Sequence, residues 1–565
     1  MNGKLTYGAY TLIALKFFTV FPEYFIGITI LYLLIVLTLL TYNVYGLLLQ
    51  KSISECLALV LFMSCYLIYN DDLICLGMAT DVNPYLLGDL PWKNFESFNH
   101  SIRNDFLAFF YKFLICFFSA IYFLVISDTL KEQKLIAFEY LLIILLAIVG
   151  FMLMCNSNDL LTAYLTIELG SLAAYILASF RKTSSYSVEA GIKYFITGAV
   201  SSAFFLFGSS ILYGVTGSIQ FLNFDEFYLS CDMEEIMLLY KKPLLSSPAD
   251  TYPMDYPYVV AAVATVIAQL PFSESSLVDS FPEIGLIFIL FSIFIKLSVA
   301  PFHLWALDVY EGSPTNSTIF FAVISKLSLF VLLTRLCYGS FIEFADCWEF
   351  YTLVVGVLSV FVGSFGGLRQ RKLKTLIAYS STSHMGYCLL AFTTNYSGLT
   401  ALFFYMTVYM ISGIGIWSIM LALRLRRRTS LNKYNKELGS LSLLRKTNPS
   451  LTFAFALTMF SLAGIPPMVG FLAKMLLFLP IVGLTYYSAA LVSIMISVVS
   501  TFYYIRVIKV LYFENVLIGE LYYPTSGPKV IVLSLSVFSL IFFFLNPMFL
   551  YLLNYKAILE FQLYL

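Results

Sequence analysis

Apolar segments long enough to cross a lipid bilayer recur along nearly the whole chain. Each holds roughly 20 mostly apolar residues, which as an α-helix would span a hydrocarbon core about 30 Å thick. Helices satisfy their own backbone hydrogen bonds in lipid, so the pattern predicts an all-α polytopic membrane protein. We count fourteen segments, near 22–42, 55–69, 106–127, 135–154, 159–180, 190–213, 284–310, 317–337, 351–368, 374–393, 399–422, 450–476, 485–510 and 530–553.

Composition excludes several other classes of protein. The 565 residues are 60% hydrophobic and 12% charged, more apolar than a single soluble core accommodates. Lysine plus arginine equals aspartate plus glutamate at 33 each, so no net field favours a nucleic-acid partner. Nine scattered cysteines show no metal-ligand spacing with the three histidines, which favours buried thiols. Nucleotide and haem motifs are absent as well, and we expect neither a metal nor a cofactor in this chain.

Basic residues alternate between successive loops. Loops after odd-numbered segments are rich in lysine and arginine, as at 369–374 and 424–446, whereas even-numbered loops are poor in bases or acidic. The positive-inside rule therefore places the odd loops in the cytoplasm or its organellar equivalent, and both termini on the opposite side. Two stretches, 70–105 and 218–283, interrupt the regular spacing. We interpret both as insertions, the second as solvent-exposed.

Charged residues lie deep within several segments. Glu168 is about ten residues into its segment, or about 15 Å deep, and Lys296, Lys326 and Lys474 are comparably deep. A lysine at such depth costs about 2.5 to 3.5 kcal/mol to insert. One buried lysine commonly forms a structural ion pair, but several in separate helices favour a relay of protons. We predict that Glu168 pairs with Lys296, with Lys193 as the competing partner.

Two segments contain residues that break helices. Pro301 follows Lys296, and Pro466 and Pro467 lie between Gly464 and Gly470, shortly before Lys474. Proline in a membrane helix most often produces only a packing kink. Interrupted helices also form the ion sites of secondary transporters, and a lysine within about two turns of each break favours that role here.

Two histidines complete the candidate site. His303 lies two residues after the predicted break, where it either takes part in a proton step near neutral pH or hydrogen-bonds a freed carbonyl. His384 follows a polar stripe, Ser380–Ser383, which could hold a file of water. We rank His303, His384 and Lys193 as secondary candidates.

Several long motifs resemble the subunit 2 family of respiratory complex I, the NADH:ubiquinone oxidoreductase. The resemblance covers about 150–217 and 285–512. The motifs are Asn158 to Leu169, Glu189 to Phe195, Lys296 to Pro314, Ala378 to Tyr387, and Ser461 to Lys474.

The resemblance implies a fourteen-helix antiporter-like fold with two inverted five-helix repeats, each with a discontinuous helix. Domains would then be 1–134 (three N-terminal helices), 135–337 (first repeat), 338–512 (second repeat) and 513–565 (last loop and helix). It also implies that Glu168, Lys296, Lys326 and Lys474 relay protons during quinone reduction. NADH, FMN, iron–sulfur clusters and quinone would bind to other subunits.

The expected partners are other membrane-arm subunits, including adjacent antiporter-like ones, and lipids such as cardiolipin. The expected location is the mitochondrial inner membrane, with both termini in the intermembrane space, or alternatively a bacterial plasma membrane. Two other functions stay open: an Mrp-type cation/proton antiporter subunit, and a scaffold whose buried charges do not pump.

Overall fold

In a computed structural model, the chain is almost entirely helical, which confirms the predicted fold class. Ten helices in the part of the chain that the structure describes are long and apolar enough to cross a membrane. The structure describes residues 20–40, 46–81, 95–133, 135, 138–224, 275–423, 437–442, 444–514 and 525–563.

The main helices follow the predicted segments closely. The first six are α1 (Phe21–Leu40), α2 (Gly46–Asp81), α3 (Phe106–Ile126), α4 (Glu139–Asn156), α5 (Leu160–Ser179) and α6 (Ser185–Thr216). The next six are α7 (Ser275–Leu297), α8 (Leu304–Gly312), α9 (Thr315–Ser340), α10 (Ala345–Leu368), α11 (Leu373–Phe392) and α12 (Asn395–Ala422). The last five are α13 (Pro449–Ala463), α14 (Val469–Gly483), α15 (Tyr487–Tyr512), α16 (Gly527–Leu545) and α17 (Met548–Leu563).

Both predicted helix breaks are present. The chain leaves the helix between α7 and α8, around Pro301, and again between α13 and α14, around Pro466 and Pro467. Gly464 ends α13 with φ of 79°, a left-handed conformation that glycine adopts without steric cost. The last predicted segment, 530–553, was wrong as a single helix. It is divided between α16 and α17 because Pro547 cannot continue the helical hydrogen bonds.

The stretch 70–105 differs from the predicted loop. Helix α2 continues to Asp81, and an apolar run at Leu73–Leu76 follows Asp71 and Asp72 in the sequence. Strands β1 (Phe95–Ser97) and β2 (Ile102–Asn104) then form an antiparallel hairpin. Most of the other predicted insertion, 225–274, lies outside the described residues.

Two helices form the centre of the molecule. In α9 and α12, 94% of an apolar 18-residue stretch is buried inside the chain, against 28% of the corresponding stretch in α6 and α16. The exposed apolar faces of the outer helices are therefore available to lipid or to partner subunits.

Side-chain contacts agree with the predicted alternation of loops. Lys51 pairs with Asp128, both near odd loops, and Tyr486 donates to Glu349, both near even loops. The compartment on each side and the division into inverted repeats stay predictions.

Candidate functional site

Glu168 of α5 and Lys296 of α7 form the predicted contact. Lys296 Nζ lies 3.4 Å from Glu168 Oε1, and the side chains are 11% and 20% exposed, respectively. The pair therefore lies at the edge of the isolated chain and not at its centre. Sequence reasoning identified the partner correctly because Glu168 is the one carboxylate predicted at that depth.

Lys193 does not compete for Glu168. Its Nζ lies 2.7 Å from Asp308 Oδ2, in the middle of α8, and 2.8 Å from Glu189 Oε1 on α6 itself. These side chains line a cavity of about 370 Å³, which we call the vestibule. The vestibule opens at the odd-loop face, and Glu311 and Lys372 form another ion pair in its wall.

The break between α7 and α8 leaves backbone carbonyls to be satisfied. Trp305 Nε1 donates to the carbonyl of Ile295 at 2.8 Å, so an indole replaces a lost helical donor beside Lys296. His303 is half-buried, and its Nδ1 has no hydrogen-bond partner among the described residues. The imidazole also interacts with the backbone of Pro301, in line with the predicted hydrogen bond at the break, and among the described residues no ion pair or hydrogen bond joins it to Lys296 or Lys326.

A second cavity adjoins Lys296. Its volume is about 40 Å³, enough for about one or two water molecules, and its polar lining includes Thr197, Ser201 and Ser325. Ser325 immediately precedes Lys326 on α9. The cavity therefore extends from the Glu168–Lys296 pair to the helix that carries the next lysine.

Lys326 is 2% exposed, and its Nζ has no hydrogen-bond acceptor among the described residues. The ring centroid of Tyr409 on α12 lies 6.0 Å from Nζ, at the outer limit of a cation–π contact. A π-helical turn, Phe320–Ile324, lies just before this lysine. Such turns are frequent at functional sites because they re-aim the side chains that follow.

Lys474 uses the second helix break directly. Its Nζ donates to the carbonyl of Ala463, the last residue of α13, at 2.8 Å. A Cβ atom on Gly464 would lie 2.7 Å from the Lys474 side chain, so glycine also provides the space for this approach. The buried amine thus binds the free carbonyl end of a half-helix, where the helix dipole favours a positive charge.

His384 is fully hydrogen-bonded. Its Nδ1 lies 2.5 Å from the Tyr405 hydroxyl and its Nε2 lies 3.0 Å from the Tyr504 hydroxyl. Both Lys326 and Lys474 act on it electrostatically. In the adjacent stripe, the hydroxyls of Ser380–Ser383 each donate to a carbonyl three residues earlier, so the stripe offers only acceptors to water.

Sequence reasoning missed a second group of buried charges. Glu23, Asp105, Lys112 and Arg335 pair with one another at the ends of α1, α3 and α9. Lys112 lies inside a predicted segment, and the rule that flagged Lys296 applies equally to it. The expectation of buried thiols also has an exception, since Cys56 is exposed.

Comparison with known proteins identifies the family. Residues 157–248 and 259–501 match a family model described as NADH:quinone oxidoreductase/Mrp antiporter, TM. NADH-ubiquinone oxidoreductase chain 2 of Marchantia polymorpha is 35% identical over 433 residues, covering 76% of this chain and 79% of the relative. NADH-quinone oxidoreductase subunit N of Paramagnetospirillum magneticum is 31% identical over 463 residues, covering 82% and 86%.

Solved structures show the same fold. A chain of respiratory complex I from Thermus thermophilus gives a TM-score of 0.67 at 23% identity, covering 94% of this chain and 98% of that one. A chain of the Mrp complex from Dietzia sp. DQ12-45-1b gives a TM-score of 0.67 at 17% identity, covering 97% of both. The resemblance inferred from the motifs is confirmed, and the chain belongs to the NADH:quinone oxidoreductase/Mrp antiporter transmembrane family, where its curated relatives are subunit N and chain 2.

Proposed function

We propose that this chain is an antiporter-like subunit of the membrane arm of respiratory complex I and takes part in proton translocation. The observation that carries the proposal is Lys326, a buried amine without a described hydrogen-bond acceptor, between two lysines at broken helices. Burial of such an amine costs free energy, and an ionisable residue inside a membrane is by default a candidate functional site. The names of the chain's relatives support the assignment to complex I.

The proposed route begins at the vestibule on the odd-loop face. A proton reaches the Glu168–Lys296 pair, passes through the adjoining cavity to Lys326, and continues past His384 to Lys474. An amine in an apolar surrounding holds its proton less tightly when a carboxylate partner moves away. Separation of Glu168 from Lys296 would therefore release a proton from Lys296 toward the cavity.

Quinone reduction is proposed to occur in other subunits, which would hold the NADH site, FMN, iron–sulfur clusters and quinone. The partners would be neighbouring membrane-arm subunits, including antiporter-like ones, and lipids such as cardiolipin. We propose the mitochondrial inner membrane as the location, with both termini in the intermembrane space. Relatives from a plant and from bacteria support a respiratory membrane of either kind.

Replacement of Lys326 by methionine tests the proposal. Methionine has a similar length but cannot bind a proton, so the assembled complex should reduce quinone while translocating fewer protons per electron. The ratio is measured in proteoliposomes from NADH oxidation and acidification of the lumen. Lys446→Met, at an exposed lysine, serves as the control. A normal ratio in an assembled Lys326→Met complex would contradict the proposal and favour the scaffold.

A second candidate function is an Mrp-type cation/proton antiporter subunit. The observation that favours it is the match to the Mrp complex, whose TM-score equals that of the complex I chain. Purification of the wild-type protein with its natural partners separates the two candidates. Co-purifying quinone reductase activity supports complex I, whereas sodium-dependent proton exchange without that activity supports the antiporter.

A further inference from the structure

A second group of buried polar residues, the outer cluster, lies at the opposite end of the helices from the vestibule. Two ion pairs form its centre. Lys112 Nζ of α3 lies 2.5 Å from Glu23 Oε1 of α1, with 1% and 3% of these side chains exposed. Arg335 Nη2 of α9 lies 2.5 Å from Asp105 Oδ1, at the start of α3. The cluster comprises Glu23, Asn104, Asp105, Lys112, Asn156 and Arg335.

Asparagines and a backbone carbonyl extend the two ion pairs into one network. Lys112 Nζ also donates to Asn104 Oδ1 at 3.2 Å, and Asn104 directly precedes Asp105. Asn156 Nδ2, at the end of α4, lies 3.5 Å from Glu23 Oε1. Arg335 Nε donates to the carbonyl of Cys155 at 2.8 Å. The network therefore spans α1, α3, α4 and α9.

The network is incomplete in a way that indicates water. Glu23 Oε2, Asp105 Oδ2 and Asn156 Oδ1 are buried acceptors with no donor among the described residues. Such an atom is costly if it stays unsatisfied, and folded proteins leave few of them. A cavity of about 10 Å³ has room for about one water molecule, and Arg335 is the member of the cluster that lines it. Bound water is the donor that would satisfy these atoms.

The outer cluster adjoins the cavity of the candidate relay. That cavity, beside Lys296, is lined by Met154 and Leu329. Cys155, the next residue on α4, accepts the hydrogen bond from Arg335, and Leu329 lies six residues, or about 9 Å, before Arg335 on α9. Little more than one layer of side chains therefore separates the two polar regions.

The other side of the cluster reaches the even-loop face. At this face, the β1–β2 hairpin contacts the start of α5. The backbone N–H of Asn158, just before α5, donates to the carbonyl of Ser101 in the hairpin at 3.0 Å. Burial raises the pKa of Asp159, the next residue, to about 6, although nearby His100 acts in the opposite direction. A carboxyl that exchanges protons near neutral pH therefore lies at the outer boundary of the cluster.

We propose that the outer cluster is a hydrated proton-exchange site that connects the relay to the even-loop face, with Glu23 and Lys112 as the exchanging groups. The inference rests on the proposed function. A proton delivered through water binds the Glu23 carboxylate, and the Lys112 ammonium, no longer paired, gives one proton to water at the even-loop face. Transfer of the proton from Glu23 to the Lys112 amine restores the pair. One proton enters and one leaves, while Arg335 stays charged and holds Asp105 in place.

The test compares three variants in assembled complex I. Glu23→Gln keeps the size of the side chain and one acceptor oxygen but cannot bind a proton, so the proton-to-electron ratio should fall. Asp128→Asn is the matched control, because Asp128 pairs with Lys51 at 2.8 Å on the odd-loop side. Its ratio should stay normal. Glu23→Gln combined with Lys112→Met removes both charges of the Glu23–Lys112 pair and leaves no buried lysine without a partner, and this double variant serves if the single one does not assemble.

A normal ratio in an assembled Glu23→Gln or double variant overturns the inference, and a reduced ratio with a normal Asp128→Asn control supports it. A map of the wild-type complex that resolves water gives an independent readout: water is expected at Glu23 Oε2 and Asp105 Oδ2, and a dry cluster overturns the inference. Lys326→Met tests the proposed function separately. If that variant lowers the ratio while Glu23→Gln does not, the outer site alone is rejected.

Discussion

Three deeply placed lysines are accommodated by three different kinds of neighbour. Lys296 contacts a carboxylate, Lys474 donates to a backbone carbonyl, and Lys326 lies 6.0 Å from the centroid of an aromatic ring, with no hydrogen-bond acceptor among the described residues. A carboxylate, a carbonyl and a π-face are chemically different partners for an ammonium. The three lysines therefore occupy three distinct surroundings along the proposed route.

These positions were predictable from the sequence, but their neighbours were predictable only in part. Depth within an apolar segment identified Glu168 and each lysine. The contact between Lys474 and Ala463 could not be predicted, since it depends on how two half-helices meet. Glu23 was missed because it lies at the start of a segment, where a carboxylate normally reaches water. Its burial results from the packing of α1 against α4.

Asp159 provides a prediction about pH. Its carboxyl, with a pKa of about 6 against an ordinary 3.8, should stay protonated near pH 5 and ionise as the pH rises through 6. Since the fold disfavours the ionised form, the contribution of Asp159 to stability is greatest at low pH and declines between about pH 4 and 6. Infrared difference spectra of wild type and Asp159→Asn should show a carboxyl C=O band that disappears near pH 6. Disappearance near pH 4 would contradict the assignment.

At the scale of elements, two of the helix breaks follow from local sequence. Proline beside glycine, as in the run from Gly464 to Gly470, indicates a break whatever the surrounding fold. The interruption at Pro547 was missed because apolar residues continue on both sides of it and suggest one segment. The hairpin at 95–104 gave no strand signal, since each strand has only three residues, of which two are polar.

The second break depends on close contact between its two halves, which leads to a prediction. A Cβ atom on Gly470 would lie 1.9 Å from the carbonyl oxygen of Ser461, so Gly470→Ala must push α14 away from α13. Overpacking of this kind costs about 1 to 3 kcal/mol. We expect the variant complex to lose quinone reductase activity at a lower temperature and to translocate fewer protons.

Gly483→Ala is the matched control for this experiment. Gly483 ends the same helix, and an added Cβ there would meet no atom within 4 Å. Its thermal inactivation should follow the wild type. Equal behaviour of the two alanine variants would show that the contact between the half-helices has no mechanical importance.

At the scale of the whole molecule, the partial exposure of Glu168 and Lys296 implies a neighbour. Charges near the middle of a bilayer are costly against lipid, so another subunit is expected to cover this face of α5. The fold class and the alternation of loops were predictable, because they follow from apolar length and charge. The covered face was not, since an apolar residue facing lipid and one facing a partner look alike in sequence.

Cysteine labelling tests whether this face is covered. Leu172, one turn from Glu168, is 48% exposed in the isolated chain, whereas Ala174 on the same helix is 3% exposed. Leu172→Cys should react with a membrane-permeant maleimide in the dissociated subunit and be protected several-fold in the assembled complex. Ala174→Cys should stay unreactive in both. Equal labelling of Leu172→Cys in the two states would mean that lipid, and not a partner, covers the ion pair.

The hydrogen bond from Lys474 to Ala463 has a mechanical consequence. The amine that would carry a proton also connects the two half-helices, because it belongs to α14 and donates to the last carbonyl of α13. Discharging it removes the attraction between an ammonium and the negative pole of α13, so the angle between the two halves is free to change. The charge on Lys474 and the angle between the two half-helices are therefore coupled. A change in that angle would displace any helix or subunit that packs against α14.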